Sequence, residues 1–304
     1  MHIIYNDPDY TIPEHTVVAI GKFDGDHLGH KRIFEEMRSI KQLHGLKMAV
    51  FTFVFPGNPQ IESQPEKHAL LESEGIDYLV EYPFSDDIRM ISGQDFIIHI
   101  LKNRMNMSWI VAGDDCSFGY NRSGNADLLK SLSDKLDYRV TIINRIRLDD
   151  TEISSTNIRK LLSEGNVKMI HKLKGGYYSL SGQVILNKQL GRTIGFPTAN
   201  IIPSSEKLLP KRGVYATRTL LENGQIYDSM TNIGYNPSVT EQDPSSVKCE
   251  THIFDFSEDI YGQNITLFFV DRIRDEQKFD SVENLVRQLG TDKNYVIHIL
   301  NNQS

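Results

Sequence analysis

The 304-residue sequence predicts an α/β domain with a parallel sheet, followed by an antiparallel β-barrel with C-terminal helices. In residues 1–175, apolar runs typical of buried strands alternate with segments of helical spacing, which favours right-handed crossovers between parallel strands. In residues 176–304, short runs rich in β-branched and aromatic residues follow one another. The composition changes at Gly175-Gly-Tyr-Tyr-Ser-Leu-Ser-Gly182, so we expect domains at 1–175 and 176–304.

The first domain is predicted to contain five strands and at least six helices. The strands are Val17–Ile20, Met48–Phe53, Ile76–Val80, Trp109–Ala112 and Tyr138–Ile143. The helices are one from Lys31 to a stop at Gly45, then Glu66–Ser73, Gln94–Lys102, Asn125–Leu132, one through Ile158 that closes at Gly165, and Asn166–Lys174.

The second domain is predicted to be a closed or nearly closed antiparallel barrel. Its strands are Gln183–Leu186, Gly213–Leu220, Ile226–Ile233, Val247–Phe254 and Ile265–Val270. Asn223-Gly224 is a strong hairpin turn. Two helical segments, one from Val282 to Leu289 and one from Val296 to Leu300, are expected to cover an open part of the barrel.

Composition excludes several classes of protein. A formal net charge of −7 disfavours broad electrostatic binding to nucleic acid. No apolar run approaches the roughly 20 residues needed to cross a bilayer, and the N-terminus lacks a basic region followed by an apolar core, so we expect a cytoplasmic protein without membrane contact. Cys116 and Cys249 have no metal-ligand spacing and are expected to be packing residues.

The segment Gly21–His30 carries the strongest functional pattern, because it follows a predicted strand and precedes a helix. Gly21, Gly25 and Gly29 allow close approach of the backbone, so free N–H groups can face an anion at the helix start. His27 and His30 are three residues apart and can both donate to phosphate oxygens. The alternative is a pair of surface histidines beside an ordinary turn.

The pattern Gly21-x-Phe23-Asp24-Gly25-x-His-x-Gly29-His resembles the HxGH signature of the nucleotidyltransferases, and in particular the adenylyltransferase module of bacterial FAD synthetases. The resemblance implies a Rossmann-like domain in which Phe23, Asp24 and the three glycines bind nucleotide, while His27 and His30 are catalytic.

Two further segments of the first half resemble motifs of the same family. Gly113-Asp-Asp-Cys-Ser-Phe-Gly119 is a solvated acidic turn by composition, yet it resembles a family motif in which Asp115 contacts the ligand. Ile153-Ser154-Ser155-Thr156-Asn-Ile-Arg159 caps a helix, and Arg159, one turn further, can reach a phosphate at the helix start. Its match to the family motif implies that Ser154, Ser155, Thr156 and Arg159 bind the β- and γ-phosphates of ATP.

Gly191–Asn200 is too rich in glycine and proline for a regular element and reads equally well as a crossover loop. The longer stretch Gly182–Asn200 resembles the riboflavin kinase signature, with Asn187 at a usual glycine position; asparagine tolerates positive φ, so we expect the loop to persist. The resemblance implies that the loop binds ATP. The residues implied are Gly191, Arg192, Gly195, Pro197, Thr198 and Asn200, with Thr198 and Asn200 giving oxygens to Mg²⁺.

Lys248–Phe256 resembles the riboflavin kinase strand whose glutamate is the base, here Glu250. Strand alternation places Glu250 on the same face as His252 and Phe254, although a salt-bridged surface carboxylate would show the same pattern. Arg274 is implied as a flavin contact by the continuing resemblance.

Together these patterns predict a bifunctional enzyme that phosphorylates riboflavin to FMN and adenylylates FMN to FAD, using ATP and Mg²⁺. A neutral hydroxyl needs a base in the first reaction, whereas the FMN phosphate is already an anion in the second. Flavoenzyme apoproteins are possible transient acceptors of the product. Two alternatives stay open: only the kinase works, or the chain is a flavin-binding regulatory protein, which would bind ligand without turnover.

Overall fold

The computed structural model describes residues 1–55, 57–149, 151–186, 190–235 and 247–302, so Asn187 lies outside the described residues. The chain folds into two compact units. The first contains Met1–Asn58 and Glu62–Ser155, and the second contains Pro59–Ile61 and Thr156–Ser304. The boundary after Gly175 that the sequence predicts stays a prediction.

The first unit contains a six-stranded sheet in which every neighbouring pair is parallel. In chain order its strands and those of two small hairpins are β1 (His2–Tyr5), β2 (Thr16–Ile20), β3 (Lys47–Val54), β4 (Tyr78–Pro83), β5 (Met107–Gly113), β6 (Ser117–Phe118), β7 (Gly124–Asn125), β8 (Arg139–Ile143), β9 (Arg147–Leu148) and β10 (Thr151–Glu152). The order across the sheet is β1-β4-β3-β2-β5-β8. The predicted parallel sheet is therefore confirmed.

Helices connect the strands of this sheet. They are α1 (Leu28–His44), α2 (Gln64–Ser73), α3 (Asp86–Arg89), α4 (Gly93–Asp95), a π-helix (Phe96–Arg104), a 3-10 helix (Tyr120–Arg122) and α5 (Ala126–Leu136). Two more, α6 (Ser155–Glu164) and α7 (Val167–Lys174), follow in the chain. The segment predicted as one α-helix at Gln94–Lys102 is a turn of α-helix continued by the π-helix.

Both faces of the sheet are buried, as expected for parallel strands. Along β2, Val17 and Ala19 belong to one apolar cluster and Val18 to the other. The first cluster includes Phe34 and Met37 of α1. The other includes Phe96 of the π-helix. This double burial explains why the strands appear in the sequence as continuous apolar runs.

The chain changes direction across the sheet at β2. From β2 it proceeds outward through β3 to β4, and it then returns to place β5 on the other side of β2. Ligands of open α/β sheets bind beyond the carboxyl ends of the strands at such a switch point. The residues after β2 and after β5 therefore emerge at adjacent positions on that edge.

One strand of the sheet is absent from the sequence prediction, which takes Val17–Ile20 as the first. Strand β1 precedes it and pairs with β4 at the sheet edge. The segment has four residues, which is too short for its apolar pattern to predict a strand, and only Ile4 of β1 is buried. Its pairing is a long-range contact.

The second unit contains a closed barrel with strand order β11-β12-β15-β14-β13-β16. The strands are β11 (Tyr178–Ile185), β12 (Ala199–Ile201), β13 (Gly213–Leu220), β14 (Ile226–Tyr235), β15 (Val247–Ile253) and β16 (Asn264–Arg274), and neighbouring strands are antiparallel. The predicted barrel and the Asn223-Gly224 turn are confirmed. The predicted irregular segment Gly191–Asn200 instead contains a short helix, α8 (Leu190–Thr193), and the start of β12.

A single helix, α9 (Val282–Asn301), ends the described chain. The two predicted helical segments are continuous because Gly290 lies mid-helix without breaking it. Since the barrel is closed, α9 does not cover an opening. It packs on the outer wall, where Val296 and Leu300 join an apolar cluster with Val214, Ala216 and Met230.

Both cysteines are free thiols, and Cys249 is fully buried. Burial and the neighbouring Asp115 raise the pKa of Cys116 to about 11. Within the described ranges, no helix is both long and apolar enough to span a membrane.

Candidate active sites

The histidine loop, residues 21–30, begins where β2 ends. His27 is the N-cap of α1, and its Nδ1 accepts a hydrogen bond from the His30 backbone N–H at 3.3 Å. An imidazole nitrogen that accepts carries no hydrogen, so the neutral His27 ring is the Nε2–H tautomer. The side chain thus provides one donor while its other nitrogen caps the helix.

The two imidazoles lie face to face. The ring centroids of His27 and His30 are 3.7 Å apart, with 23° between the ring planes. The two histidines therefore lie side by side on one face of the helix start, as their spacing predicts. His27 is buried, and His30 also packs on Phe23 with ring centroids 5.2 Å apart.

Gly29 is required by the position of the His27 ring. A Cβ atom on Gly29 would lie 3.0 Å from Nδ1 and 3.1 Å from Cε1 of His27. Gly25 adopts a φ of +101°, a conformation that favours glycine. Gly21 is also constrained, since its Cβ would lie 3.2 Å from the Phe23 ring. These three predicted glycines each have a physical reason in the loop.

Buried carboxylates fix the turn at Asp24 and Gly25. Asp24 is 2 % exposed, and its Oδ1 accepts from the Glu62 backbone N–H at 3.3 Å. The Gly25 N–H donates to the Glu62 carboxylate. Buried Lys67 lies in the same group, where it interacts electrostatically with Asp24, Glu62 and Glu81. Burial lowers the pKa of Lys67, and the three carboxylates oppose this shift.

The Ser154–Arg159 segment begins α6. The Ser155 hydroxyl donates to the Asp24 backbone carbonyl at 2.5 Å, so this part of the motif contacts the histidine loop. Ser154 is half-buried and Thr156 is exposed. The Arg159 guanidinium is half-buried and donates to the Pro59 carbonyl at 2.8 Å.

Asp115 lies on the turn after β5, beside the strand that precedes the histidine loop. Its exposed carboxylate is 3.5 Å from Arg145, which also pairs with Asp114 at 3.5 Å and Glu152 at 2.9 Å. The next residues turn inward: Cys116 packs at the margin of the core and Phe118 is buried. The acidic turn is thus solvated and ion-paired, at the sheet edge where ligands bind.

The second unit contains a cavity of about 390 Å³ against the outer wall of the barrel. This volume lies within the range of small-molecule sites. Five predicted site residues line it: Gly191, Thr198, Asn200, Glu250 and Arg274. Three others, Arg192, Gly195 and Pro197, are exposed in the neighbouring loop and are not among the lining residues.

Glu250 is the centre of a polar row that crosses three strands of the barrel. On β15 it pairs with Asn200 of β12 on one side and with Asn232 of β14 on the other. Side chains directly opposite one another in a sheet share a face. All three line the cavity, whereas the neighbouring Cys249 and Thr251 are fully buried. The carboxylate therefore lies on the cavity wall between two amides.

The barrel interior is a separate polar region. Thr217, Ser229, Thr231 and Thr251 are fully buried and joined by hydroxyl hydrogen bonds of 2.8–2.9 Å. The interior hydroxyls are thus satisfied by one another. Since successive side chains of a strand alternate between faces, Glu250 and His252 share a face, as the sequence predicts, and that face is the outer one.

Arg274 lines the same cavity. Its Nε and Nη2 donate to Asp292 Oδ2 of α9 at 2.9 Å and 2.6 Å, and Nη1 donates to the Asp275 carbonyl at 2.9 Å. Asp292 is buried and also accepts from Gln288 at 2.8 Å. Helix α9 therefore fixes the direction of this guanidinium.

Two oxygen-bearing side chains meet beside Glu250. The Asn200 Nδ2 lies 3.4 Å from both the carbonyl and the Oγ1 of Thr198. A hydroxyl and an amide carbonyl are hard oxygen donors, which suit Mg²⁺. Across the part of the chain that the structure describes, histidine, cysteine and acidic side chains form no group of three that could hold a metal ion.

Sequence reasoning missed several lining residues of the cavity. Asn232 and Glu276 are joined by a hydrogen bond of 3.2 Å, and His252 binds the Pro197 carbonyl. The rest of the lining is mostly apolar, with Lys248 and Gln277 as further polar members; the apolar residues are Ile194, Phe196, Val214, Met230, Phe279, Leu285 and Leu289. The register of β14 against β15 brings Asn232 to the site, and no local pattern in the sequence reports that register.

Comparisons with family models divide the chain into two matched regions. Residues 9–157 match the FAD synthetase model, and residues 174–300 match the riboflavin kinase model. The first region contains the histidine loop and the second contains the cavity.

Full-length relatives match across nearly the whole chain. A bifunctional riboflavin kinase/FMN adenylyltransferase of Buchnera aphidicola (strain APS) is 36 % identical over 292 residues, covering 92 % of each chain. A protein of the same description from Bacillus subtilis (strain 168) is 32 % identical over 318 residues, covering 99 % of this chain and 98 % of its own.

A solved structure also matches end to end. It is described as a macrolide-efflux protein from Streptococcus pneumoniae, is 33 % identical, has a TM-score of 0.88, and is matched over 97 % of this chain and 99 % of its own. Its fold is therefore the fold of this chain, including both units.

Proposed function

The chain belongs to the family of bifunctional riboflavin kinase/FMN adenylyltransferases, and from this premise we propose which residues perform each reaction. The enzyme phosphorylates riboflavin to FMN and adenylylates FMN to FAD, with ATP as the second substrate of both steps. The kinase reaction is assigned to the barrel cavity and the adenylyl transfer to the histidine loop.

In the kinase reaction Glu250 acts as the general base. The ribityl 5′-hydroxyl of riboflavin must lose its proton as it attacks the γ-phosphorus of ATP, and ADP leaves. The observation that carries this assignment is the polar row in which Glu250 lies between Asn200 and Asn232 on the cavity wall. The apolar lining, including Phe279 and Leu289, suits a flavin ring.

Thr198 and Asn200 hold the nucleotide end of the kinase site. Mg²⁺ bound there would neutralise phosphate charge. Gly191, Arg192, Gly195 and Pro197 form the surrounding loop, and Arg274 contacts the flavin side. The Arg274 ion pair with Asp292 keeps the guanidinium at the cavity in a fixed direction.

In the adenylyl transfer no base is required, because the attacking FMN phosphate is an anion. Catalysis consists of alignment and of donors to the charge that develops as pyrophosphate leaves the α-phosphorus. The stacked His27 and His30 at the start of α1 are the catalytic donors. The loop residues Gly21, Phe23, Asp24, Gly25 and Gly29, with Asp115, Ser154, Ser155, Thr156 and Arg159, complete the proposed ligand contacts.

A ring surface at the carboxyl edge of the sheet suits the flavin of FMN. Phe84 packs edge-on against Phe53, with ring centroids 5.3 Å apart, and tilted against Phe55 at 5.0 Å. Lys22 lies 4.6 Å above the Phe55 ring. We further expect a cytoplasmic location and transient delivery of product to flavoenzyme apoproteins.

The assignment is tested by separating the two activities with single substitutions. Glu250→Gln should lower the rate of FMN formation by about 10²- to 10⁴-fold, the usual contribution of a general base, and leave FAD formation from supplied FMN unchanged. His27→Ala should lower the rate of FAD formation and leave FMN formation unchanged. FMN and FAD are measured by chromatography of reaction mixtures that contain the purified protein, Mg-ATP and either riboflavin or FMN.

Glu276→Gln provides the matched control, since Glu276 is a second carboxylate on the same cavity wall. We expect it to affect FMN formation far less than Glu250→Gln. Equal losses from the two variants would remove the reason for choosing Glu250. If His27→Ala left both reactions intact, the histidine loop would have no part in catalysis.

A further inference from the structure

His252 is a cavity residue that the kinase chemistry above does not use. It lies on β15 two positions beyond Glu250, is 7 % exposed and faces the same cavity. Its Nδ1 lies 2.8 Å from the carbonyl oxygen of Pro197, in the loop that precedes Thr198. The ring of Phe196 meets the His252 ring edge-on at 5.2 Å.

The direction of this hydrogen bond fixes the state of the imidazole. A carbonyl oxygen only accepts, so Nδ1 carries the hydrogen. Burial lowers the pKa of His252, with Lys293 adding to the effect, while the bond to Pro197 and the charge of Asp255 oppose it. The neutral Nδ1–H tautomer is therefore the form at neutral pH, opposite to that of His27.

The bond lies where backbone pairing between β12 and β15 stops. The ladder ends at Ala199, which pairs with Thr251. Pro197 has no N–H to extend it. The His252 side chain takes up the next available carbonyl and so continues the connection between the barrel wall and the loop.

The loop before Pro197 closes on itself. The Phe196 N–H donates to the Gly191 carbonyl at 2.8 Å, and the Ile194 N–H approaches the same oxygen at 3.3 Å. A Cβ on Gly191 would overlap the Phe196 carbonyl oxygen. These two hydrogen bonds brace residues 191–196, and the His252 bond fixes the next residue, Pro197, directly before Thr198.

We propose that His252 is a positioning residue of the kinase site, which holds the Pro197 carbonyl so that Thr198 faces the cavity beside Asn200. The inference rests on the proposed role of Thr198 and Asn200 in binding Mg-ATP. His252 acts through the loop on nucleotide binding and takes no part in removing the proton from riboflavin.

The chain offers a substitution that keeps the bond and one that removes it. The amide nitrogen of asparagine occupies the place of Nδ1 and still donates, whereas leucine fills similar space without a donor. His252→Leu should raise KM for ATP about tenfold, the effect of one hydrogen bond, with kcat and KM for riboflavin changed less than threefold. His252→Asn should return KM for ATP to within about threefold of the unsubstituted enzyme.

Three results would overturn the proposal: equal KM values for ATP in the asparagine and leucine variants, an effect confined to KM for riboflavin, or a loss only in kcat. FAD formation from FMN is measured in the same samples and should be unchanged, which shows that the first unit folds; a kcat for FMN formation within about threefold of the unsubstituted enzyme shows that the barrel folds. His298→Leu, at an exposed histidine of α9, is the control and should leave both reactions unaltered.

The tautomer gives a second test that does not depend on activity. Long-range ¹H–¹⁵N spectra of histidine-labelled protein should show one neutral Nδ1–H ring that disappears in His252→Asn. An Nε2–H ring at this position would refute the proposed bond. Failure of Glu250→Gln to lower FMN formation would instead refute the base, so the two hypotheses fail separately.

Discussion

A methyl group on Gly29 would come within 3.0 Å of the His27 imidazole, although Gly29 lies in the first turn of α1. Alanine is favoured over glycine in helices by about 1 kcal/mol, which offsets the loss of the His27 cap when the ring is displaced, so Gly29→Ala should change the stability of the fold by less than about 1 kcal/mol. It should displace the His27 ring and lower FAD formation at least tenfold, because alignment of donors is lost. The rate of FAD formation, measured by chromatography, and the Tm from a thermal melt together test these two expectations.

Gly176→Ala is the control for that substitution, since in the part of the chain that the structure describes nothing lies within 4 Å of its Cβ position. Kinase activity should be unaltered in both variants. An unchanged rate of FAD formation in Gly29→Ala would mean that the His27 ring position is unimportant for the reaction.

Lys67 is the cation of a buried group that contains Asp24, Glu62 and Glu81. Glu81 is further held by Gln64 and His68, each at 2.9 Å. Lys67→Met would leave buried carboxylates without their cation, which costs about 3–5 kcal/mol of stability. We expect urea unfolding monitored by circular dichroism to show this loss.

Arg32→Met is the matched control for Lys67→Met, because the Arg32–Glu35 pair is about half exposed on both sides. Exposed pairs contribute about 0–1 kcal/mol. A similarly small effect of Lys67→Met would show that its charge is not needed by the buried carboxylates.

At the scale of single residues, the sequence points to the residues of the proposed reactions more readily than to the other residues that line the cavity. His27, Thr198, Asn200 and Glu250 lie within continuous motifs, and the resemblance of those motifs to known families is what points to them; their roles stay predictions. Asn232 reaches the cavity through the register of β14 against β15, and Glu276 through the chain beyond β16. His252 shares the face of Glu250 by strand alternation, but its bond to the Pro197 carbonyl does not show in the sequence. Those are long-range contacts without a local pattern.

Helix α9 is continuous through Gly290, where the sequence predicts an interruption. No atom of the described residues lies within 4 Å of the Cβ position of Gly290, so Gly290→Ala should stabilise the protein by about 0.5–1 kcal/mol. Denaturant titration measures the gain. The contrasting variant is Gly213→Ala, at a φ of +144° where a Cβ would overlap the Arg274 carbonyl oxygen. That variant should lose stability. If both variants changed the free energy of unfolding equally, the open space at Gly290 and the strained position of Gly213 would not decide the effect of a methyl group.

Among the elements, those with long apolar or amphipathic patterns are predicted, including β2, β3, β5, β13 and α5. The missed strands of the main sheet and of the barrel, β1 and β12, have four and three residues, and the strands of the two small hairpins, also missed, are shorter still. Such short strands bury too few side chains to show a period, and β12 is preceded by Pro197. Their partners are distant in sequence, which explains why only the structure reveals them.

For the whole molecule, stability should fall at alkaline pH. Burial raises the pKa of Tyr138 and of Tyr215 to about 12, from an ordinary value near 10. Between pH 10 and 12 the unfolded chain releases these protons while the folded chain retains them, so the free energy of unfolding decreases as pH rises. Urea titrations at pH 8, 10 and 11.5 measure the slope.

Tyr138→Phe and Tyr215→Phe should each make that decrease shallower. The exposed Tyr295 provides the control, since Tyr295→Phe should leave the slope unaltered. A slope that is the same in all three variants would show that buried tyrosines do not govern alkaline unfolding.

Strand β12 is hydrogen-bonded on both sides, with Asn200 opposite Ile185 of β11 and Glu250 of β15. Its register is therefore set by two neighbours and not by the length of the preceding loop. We therefore expect insertions or deletions in that loop to change the space around the base of a bound nucleotide, while Asn200, which is proposed to hold its phosphates, stays in place. Under the proposed assignment, changes in this loop should alter the preference among nucleotide donors more than the rate of phosphoryl transfer.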